Sequence, residues 1–254
     1  MSVFVGIDVG NTHTTIGWWN GAWQHEWRLT TKAQRTRDEW TIVLEATLRR
    51  AGYPLQDIAQ MAVSSVVPAV TADLSYAARE LKLPCDVISA GHIHSVHIAY
   101  DPPEAVGADR LCGVAAALHK LGAPVIVADL GTATVIDVVD AARVYRGGII
   151  APGVATAAES LHQATALLPK VNLNFPENVI GGNTVEAIQS GILYGAISLI
   201  DGLVVRIQTE IGPAPVVATG GFADLLRGAS ETITHVDQRL VLEGMRLLAM
   251  REWS

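Results

Sequence analysis

Phe4-Val5-Gly6-Ile7-Asp8-Val9-Gly10-Asn11-Thr12 and Val125-Ile126-Val127-Ala128-Asp129-Leu130-Gly131-Thr132-Ala133 read as two copies of one device. Each is an apolar strand ending in Asp-x-Gly and small hydroxyl or amide residues. Each is followed by a second apolar run, at residues 16–19 and 135–139. Strand, glycine-containing turn and returning strand make a β-hairpin in each half. Recurrence half a chain apart predicts two similarly folded lobes, residues 1–118 and 119–254, rather than a short-period solenoid.

Outward from the hairpins, strands and helices alternate. Residues 38–50 carry Trp40, Val43, Leu44 and Leu48 near the 3.6 period, with Gly52 and Pro54 as stops. A strand at 61–66 ends at Pro68, and helices are expected at 69–83 and 105–121. In the second half a long, Ala-, Ile- and Leu-rich helix covers 185–209. A strand at 216–218 then runs through Thr219-Gly220-Gly221 into a helix from Phe222, and a last helix covers 240–250. This alternation predicts an α/β protein of two lobes related by internal duplication.

Composition narrows the classes. The chain has 254 residues, 50% apolar and 17% charged, enough for large buried cores and contrary to disorder. A net charge of −7 leaves no broad phosphate-neutralising face, so nucleic acid is not an expected partner. Two cysteines, Cys85 and Cys112, make neither a disulfide framework nor a four-cysteine zinc site. Asp, Gly or Pro interrupts each apolar run before the ~20 residues of a membrane span, and no signal-peptide pattern is visible. A cytoplasmic protein with no membrane partner is expected.

The turns carry the chemistry. Bare glycine backbone lets N–H groups approach an anion, and Asn11, Thr12 and Thr14 add side-chain donors. Asp8 beside phosphates would repel them unless a cation lies between. An ordinary hairpin bend uses the same residues, but a pair of such turns points to a nucleotide. Thr219-Gly220-Gly221 could receive a flat ring against bare backbone, or simply join strand to helix. Gly147-Gly148-Ile149-Ile150-Ala151-Pro152-Gly153 implies close backbone approach to something unspecified. Asp109 could accept an acceptor hydroxyl's proton, Arg110 could bind an anionic oxygen and Tyr100 could close the pocket. Asp109 and Arg110 could equally be a surface ion pair at a helix start.

Taken in order, these segments resemble the type III pantothenate kinases. The likeness runs through the Asp8 turn, Ser65-Val66-Val67-Pro68, Gly107-Ala108-Asp109-Arg110, the Asp129 turn and Gly147 to Gly153. It continues through Leu168-Pro169, Asn183-Thr184, Gln189-Ser190-Gly191 and Thr219-Gly220-Gly221. The resemblance implies two RNase H-like lobes of the actin, sugar-kinase and Hsp70 superfamily. It implies ATP-dependent phosphorylation of pantothenate to 4′-phosphopantothenate, the first step of coenzyme A biosynthesis.

By that resemblance Asp8, Val9, Gly10, Asn11, Thr12, His13, Thr14, Thr15 and Thr132 bind ATP. Tyr100, Gly107, Ala108, Asp109, Arg110 and Thr184 bind pantothenate, with Asp109 as the catalytic base. Asp129 binds a monovalent cation, K+ or NH4+; Mg2+ accompanies ATP, and the enzyme is a homodimer. The family usually continues the second turn as Gly-Thr-Ala-Thr-Thr, where this chain has Val135, and His13 stands where many relatives carry Asn. The alternatives are a catalytically weak or regulatory homologue like the Bvg accessory factors, or a kinase of the same fold with another hydroxyl acceptor. The early tryptophans read as hairpin packing, and His92, His94 and His97 lack a fourth metal ligand; Arg28, Arg35 and Arg37 read as a solvated face, with a phosphate role left open.

Overall fold

Both expected hairpins form, and each gains a third strand that the sequence did not announce. The computed structural model describes residues 3–31 and 35–252. Its first elements are β1 (Val3–Val9), β2 (His13–Trp19), β3 (Trp23–Thr30), α1 (Arg37–Ala51), β4 (Ile58–Ser65), α2 (Pro68–Glu80), β5 (Cys85–Val87) and β6 (His97–Ile98). α3 (Ala108–Leu121), β7 (Val125–Leu130), β8 (Ala133–Val139), β9 (Val144–Pro152) and α4 (Val154–Ala164) follow. The chain ends with α5 (Thr184–Ile211), β10 (Val216–Thr219), α6 (Ala223–Arg227), β11 (His235–Val236) and α7 (Leu240–Ala249).

In one sheet the strands run β3-β2-β1-β4-β5; in the other, β9-β8-β7-β10-β11 are neighbours in that order. The first three strands of each set are antiparallel, and the fourth lies parallel to the first. The same order twice is what an internal duplication requires.

Local signals set the boundaries. Thr36 caps α1, accepting from Glu39 N–H while the Glu39 carboxylate accepts from Thr36 N–H. Gly52 ends that helix in the left-handed region (φ 77°). Pro68 opens α2, where a missing N–H costs nothing. The expected helix from residue 105 starts instead at Ala108, after a 3-10 turn at Pro103–Ala105.

The chain divides into two compact units. The second is Leu121–Gln238; the first takes in the chain up to Lys120 and again from Arg239 onward. The join lies close to the expected 118/119 boundary, but α7 belongs to the first unit, not the second as the sequence reading had it. Bare backbone at Gly6 and Gly17 leaves room for α7: a Cβ there would lie 3.2 Å and 2.7 Å from the Leu242 methyls. Trp23 Nε1–H donates to Glu243 at 3.0 Å, and buried Arg246 pairs with Glu243 and Glu252 while stacking over Trp19. Arg239 pairs with Glu26. The N-terminal tryptophans therefore pack the hairpin and also dock the chain's last helix.

One face of the first sheet packs Ile7, Ile16, Trp18 and Met61 against Trp40, Leu44 and Leu74. The second unit packs Ile126, Leu130, Ile136 and Val216 against Leu193, Ile200 and Val204 of α5. By length and composition α5 could cross a membrane, contrary to the sequence expectation that no apolar run is long enough. Its buried face, and the bonds from Asp201 to Ser230, Glu231 and Thr232, fit a core helix of this unit.

Candidate active site

Strand register assembles the first part of the site. Odd residues of β1 and even residues of β2 face the core, so Asp8 and Thr15 face the other way. Asp8 pairs with Thr15 on one side and Ser64 on the other, and Thr15 pairs with Arg28. Directly paired residues share a face, which gives a single transverse row across four strands: Arg28, Thr15, Asp8, Ser64.

Ser64, fully buried, donates from Oγ to Asp8 Oδ1 at 3.1 Å. At the turn, Gly10 N–H donates to the His13 carbonyl at 3.0 Å. Arg28 Nη2 lies 3.0 Å from His13 Nδ1. A guanidinium only donates, so Nδ1 is the lone-pair nitrogen and Nε2 carries the proton. Burial first, and the Arg28 charge second, hold the His13 pKa below its ordinary value, in keeping with a neutral ring.

Within the turn the residues split by face. Asp8, His13 and Thr15 share the face of the row. Val9 is core, and the Thr14 hydroxyl is buried against Thr31 Oγ1 at 2.8 Å. Toward the face of the row Val9 and Thr14 therefore present main chain only.

Asp109 opens α3, its Oδ1 accepting from Arg110 N–H at 2.8 Å. A Cβ on Gly107 would lie 2.5 Å from that oxygen, so glycine is needed there for the carboxylate to keep its place. The Arg110 guanidinium stacks over Tyr100, 5.7 Å from the ring centre. One turn along α3, the Cys112 thiol is wholly buried. Burial, then the charges of Asp8 and Asp109, drive its pKa well up against a hydrogen bond with Ser64. Within the first unit, Ser64 bonds Asp8, and the charges of Asp8 and Asp109 both reach the buried Cys112 thiol.

The second unit repeats the row with different chemistry: Ile150, Val135, Asp129, Thr219. Gly131 N–H donates to the Ala133 carbonyl at 3.0 Å, as Gly10 does to His13. Two close approaches surround this turn. Gly220, at φ 91°, leaves room for Asp129 Oδ1, which would sit 2.6 Å from a Cβ. Gly153 N–H donates to the Thr132 carbonyl at 3.2 Å, and its own Cβ would overlap the Gly131 and Thr132 backbone. The close approach expected of Gly147 to Gly153 is therefore to the second turn itself, at Gly153. Thr156 Oγ1 also donates to the Thr132 carbonyl, at 2.6 Å.

Thr184 is the first residue of α5, behind its cap Asn183, whose side chain accepts from Glu186 N–H at 3.0 Å. It lines a cavity of about 490 Å³ with Leu161, Leu168, Gly181, Ile188 and Ile192.

The sequence alone does not single out Ser64, and it leaves Arg28 between a solvated face and a phosphate role. The signal for both was the strand register, readable only once β4 and β3 were placed beside the hairpin. Cys112 is the small buried side chain expected, and the charges of Asp8 and Asp109 act on it. Among the described residues no three His, Cys, Asp or Glu side chains converge as a metal cluster.

A family model for type III pantothenate kinase matches residues 4–206. The type III pantothenate kinase of Acidiphilium cryptum is 41% identical over 248 residues, covering 96% of this chain and 93% of that protein. Among solved structures, a putative Baf family transcriptional activator from Campylobacter jejuni aligns with a TM-score of 0.56 at 16% identity, over 97% of this chain and 96% of that one. The activator of 2-hydroxyisocaproyl-CoA dehydratase from Clostridium difficile, with bound ADPNP, aligns with a TM-score of 0.55 at 14% identity over 98% and 95%. At such identities these two likenesses speak for the fold alone, which is that of the actin, Hsp70 and sugar-kinase group.

Proposed function

This chain belongs to the type III pantothenate kinase family, and from that premise we propose how its residues divide the work. The enzyme phosphorylates pantothenate, consuming ATP, in coenzyme A biosynthesis. The Asp8 turn, braced by Ser64, and Asp109 at the start of α3 in the same unit carry the reading, because phosphoryl donor and acceptor must meet at one place.

The turn from Asp8 to Thr15 and the one at Thr132 bind the ATP phosphates through main-chain N–H groups and the hydroxyls of Thr12, Thr15 and Thr132. Asp8, a hard oxygen donor flanked by hydroxyls, would hold a Mg2+ ion brought with the nucleotide. That ion supplies neutralisation of charge on the transferring phosphoryl group. Asp109 accepts the proton of the pantothenate hydroxyl as that oxygen bonds to the γ-phosphorus and the bond to ADP breaks. Arg110, steadied by Tyr100, holds the pantothenate carboxylate. Asp129, against the bare backbone of Gly220 and Gly131, would hold a monovalent cation such as K+ or NH4+.

The same reading makes the enzyme a homodimer in which Thr184 completes the pantothenate pocket. Exposed Leu167, Ile180, Val185, Leu199 and Val205 supply apolar surface for the pairing. Light scattering will return the mass of two chains.

The deciding variant is Asp109→Asn. With ATP, Mg2+, K+ and pantothenate it will lose on the order of 10²–10⁴ in rate, while nucleotide binding and the circular dichroism spectrum stay those of the wild type. Near-normal turnover would assign the base to another carboxylate.

A further inference from the structure

Arg28 lies at the outer end of the polar row, next to Thr15 and two strands from Asp8. Its side chain is bound from within the turn, by the lone pair of His13. Among the described residues it has no carboxylate partner. Arg37, Arg146, Arg239 and Arg246 each have one. Glu26, the nearest acid on the same face of β3, is engaged by Arg239 instead.

The charge arithmetic of the turn is unbalanced. Residues 8–15 contain a carboxylate and no fixed positive charge, yet on the reading above they receive the most anionic part of ATP. A guanidinium makes strong, bidentate contacts to phosphate oxygens, and the row presents one beside the turn. In the duplicated row of the second unit the corresponding residue is Ile150, exposed and apolar. The duplication therefore preserves the acid and the turn but places a cation on the first side alone.

We infer that Arg28 is a phosphate-binding residue of the nucleotide site, held in its working orientation by the neutral imidazole of His13. The guanidinium binds the β- and γ-phosphate oxygens, and His13, spending its lone pair on Arg28, acts as a positioning residue. The inference rests on the assignment of the Asp8–Thr15 turn to ATP.

Calorimetric titration of the full-length protein with Mg2+ and the β,γ-imido analogue of ATP, and separately with AMP, tests it. Arg28→Gln will weaken the triphosphate analogue about ten- to hundredfold and leave AMP unchanged, Arg28→Lys will recover part of the loss, and the KM for pantothenate will not move. His13→Ala will weaken the analogue less than Arg28→Gln does, and His13→Asn, which keeps an acceptor, will weaken it less still. Unchanged binding of the analogue by Arg28→Gln overturns the inference, as does an equal loss for AMP. Gly10→Val separates the two levels. If it abolishes binding of the analogue while Arg28→Gln does not, Arg28 alone is misassigned; if neither variant changes binding, the turn itself is not the phosphate site.

Discussion

Ser64 Oγ donates to Asp8 Oδ1 at 3.1 Å from a strand lying parallel to β1, with the two residues paired in register. The bond is fully buried on the serine side and borders the Cys112 thiol. It fixes one carboxylate oxygen of the group proposed to face magnesium. Ser64→Ala removes it without altering either strand. Hydrogen bonds to charged groups contribute about 1.5–3 kcal/mol, and part of that is regained by solvent, so kcat/KM will fall roughly three- to thirtyfold. The Mg2+ concentration for half-maximal rate will rise with it. A Mg2+ titration of initial rate checks both, and an unchanged titration curve would show that Asp8 needs no such support.

Much of this arrangement was legible in the sequence, and the limit has a physical cause. Asp8 and Asp129 announced themselves because a turn concentrates its chemistry in consecutive residues. The hairpins, α1 with its Gly52 stop, and the long α5 followed from periodicity and breaker residues. Arg28 and Ser64 did not, because cross-strand neighbours are set by register and register is not written in either strand alone. The allegiance of α7 was hidden for the same reason. Its apolar face says that it is buried, but only Gly6, Gly17 and the Trp23–Glu243 bond say against what.

Val135 stands directly across from Asp129, where Thr15 stands across from Asp8. The valine keeps the β-branched shape and omits a hydroxyl that would have bordered the proposed monovalent cation. A neutral hydrogen bond is worth about 0.5–1.5 kcal/mol net, so Val135→Thr will change kcat/KM by no more than roughly tenfold. The K+ concentration for half-maximal rate is the more sensitive readout. A hundredfold gain would mean that this position governs the site.

Asp201, midway along α5, ties that helix to the segment before β11. Its carboxylate accepts from Ser230 Oγ and Thr232 Oγ1, both at 2.6 Å, and from the N–H groups of Glu231 and Thr232 at 3.0 and 3.2 Å. Burial alone would raise its pKa, but these bonds outweigh it and hold the group below the ordinary carboxylate value. A pKa depressed by folding stabilises the folded chain above the unfolded value, about 3.9, and the contribution is lost as pH falls through the folded value. Asp201→Asn will therefore cost about 1–2 kcal/mol at pH 7, measured by urea unfolding. The difference from wild type will shrink below about pH 4; a gap independent of pH would locate the effect in packing rather than charge.

Gly244 sits in the middle of α7 with its Cα against the backbone of α3. A Cβ added there would lie 2.8 Å from the Cys112 Cα and closer still to the Cys112 carbonyl oxygen. Neither obstacle is the end of a flexible side chain, so relief requires one helix to move. α7 is held on its other contacts by Leu242 over Gly6 and Gly17 and by the Arg246, Glu243 and Trp23 cluster, and these would be strained together. Alanine is the better helix former by about 1 kcal/mol, yet the overlap reverses the sign. Gly244→Ala will destabilise the fold by about 2–4 kcal/mol, visible as a lowered melting temperature. Because α3 also carries Asp109 at its first turn, displacement of that helix will reduce kcat before the protein unfolds. A variant as stable and as active as the wild type would show that the two helices do not meet at this glycine.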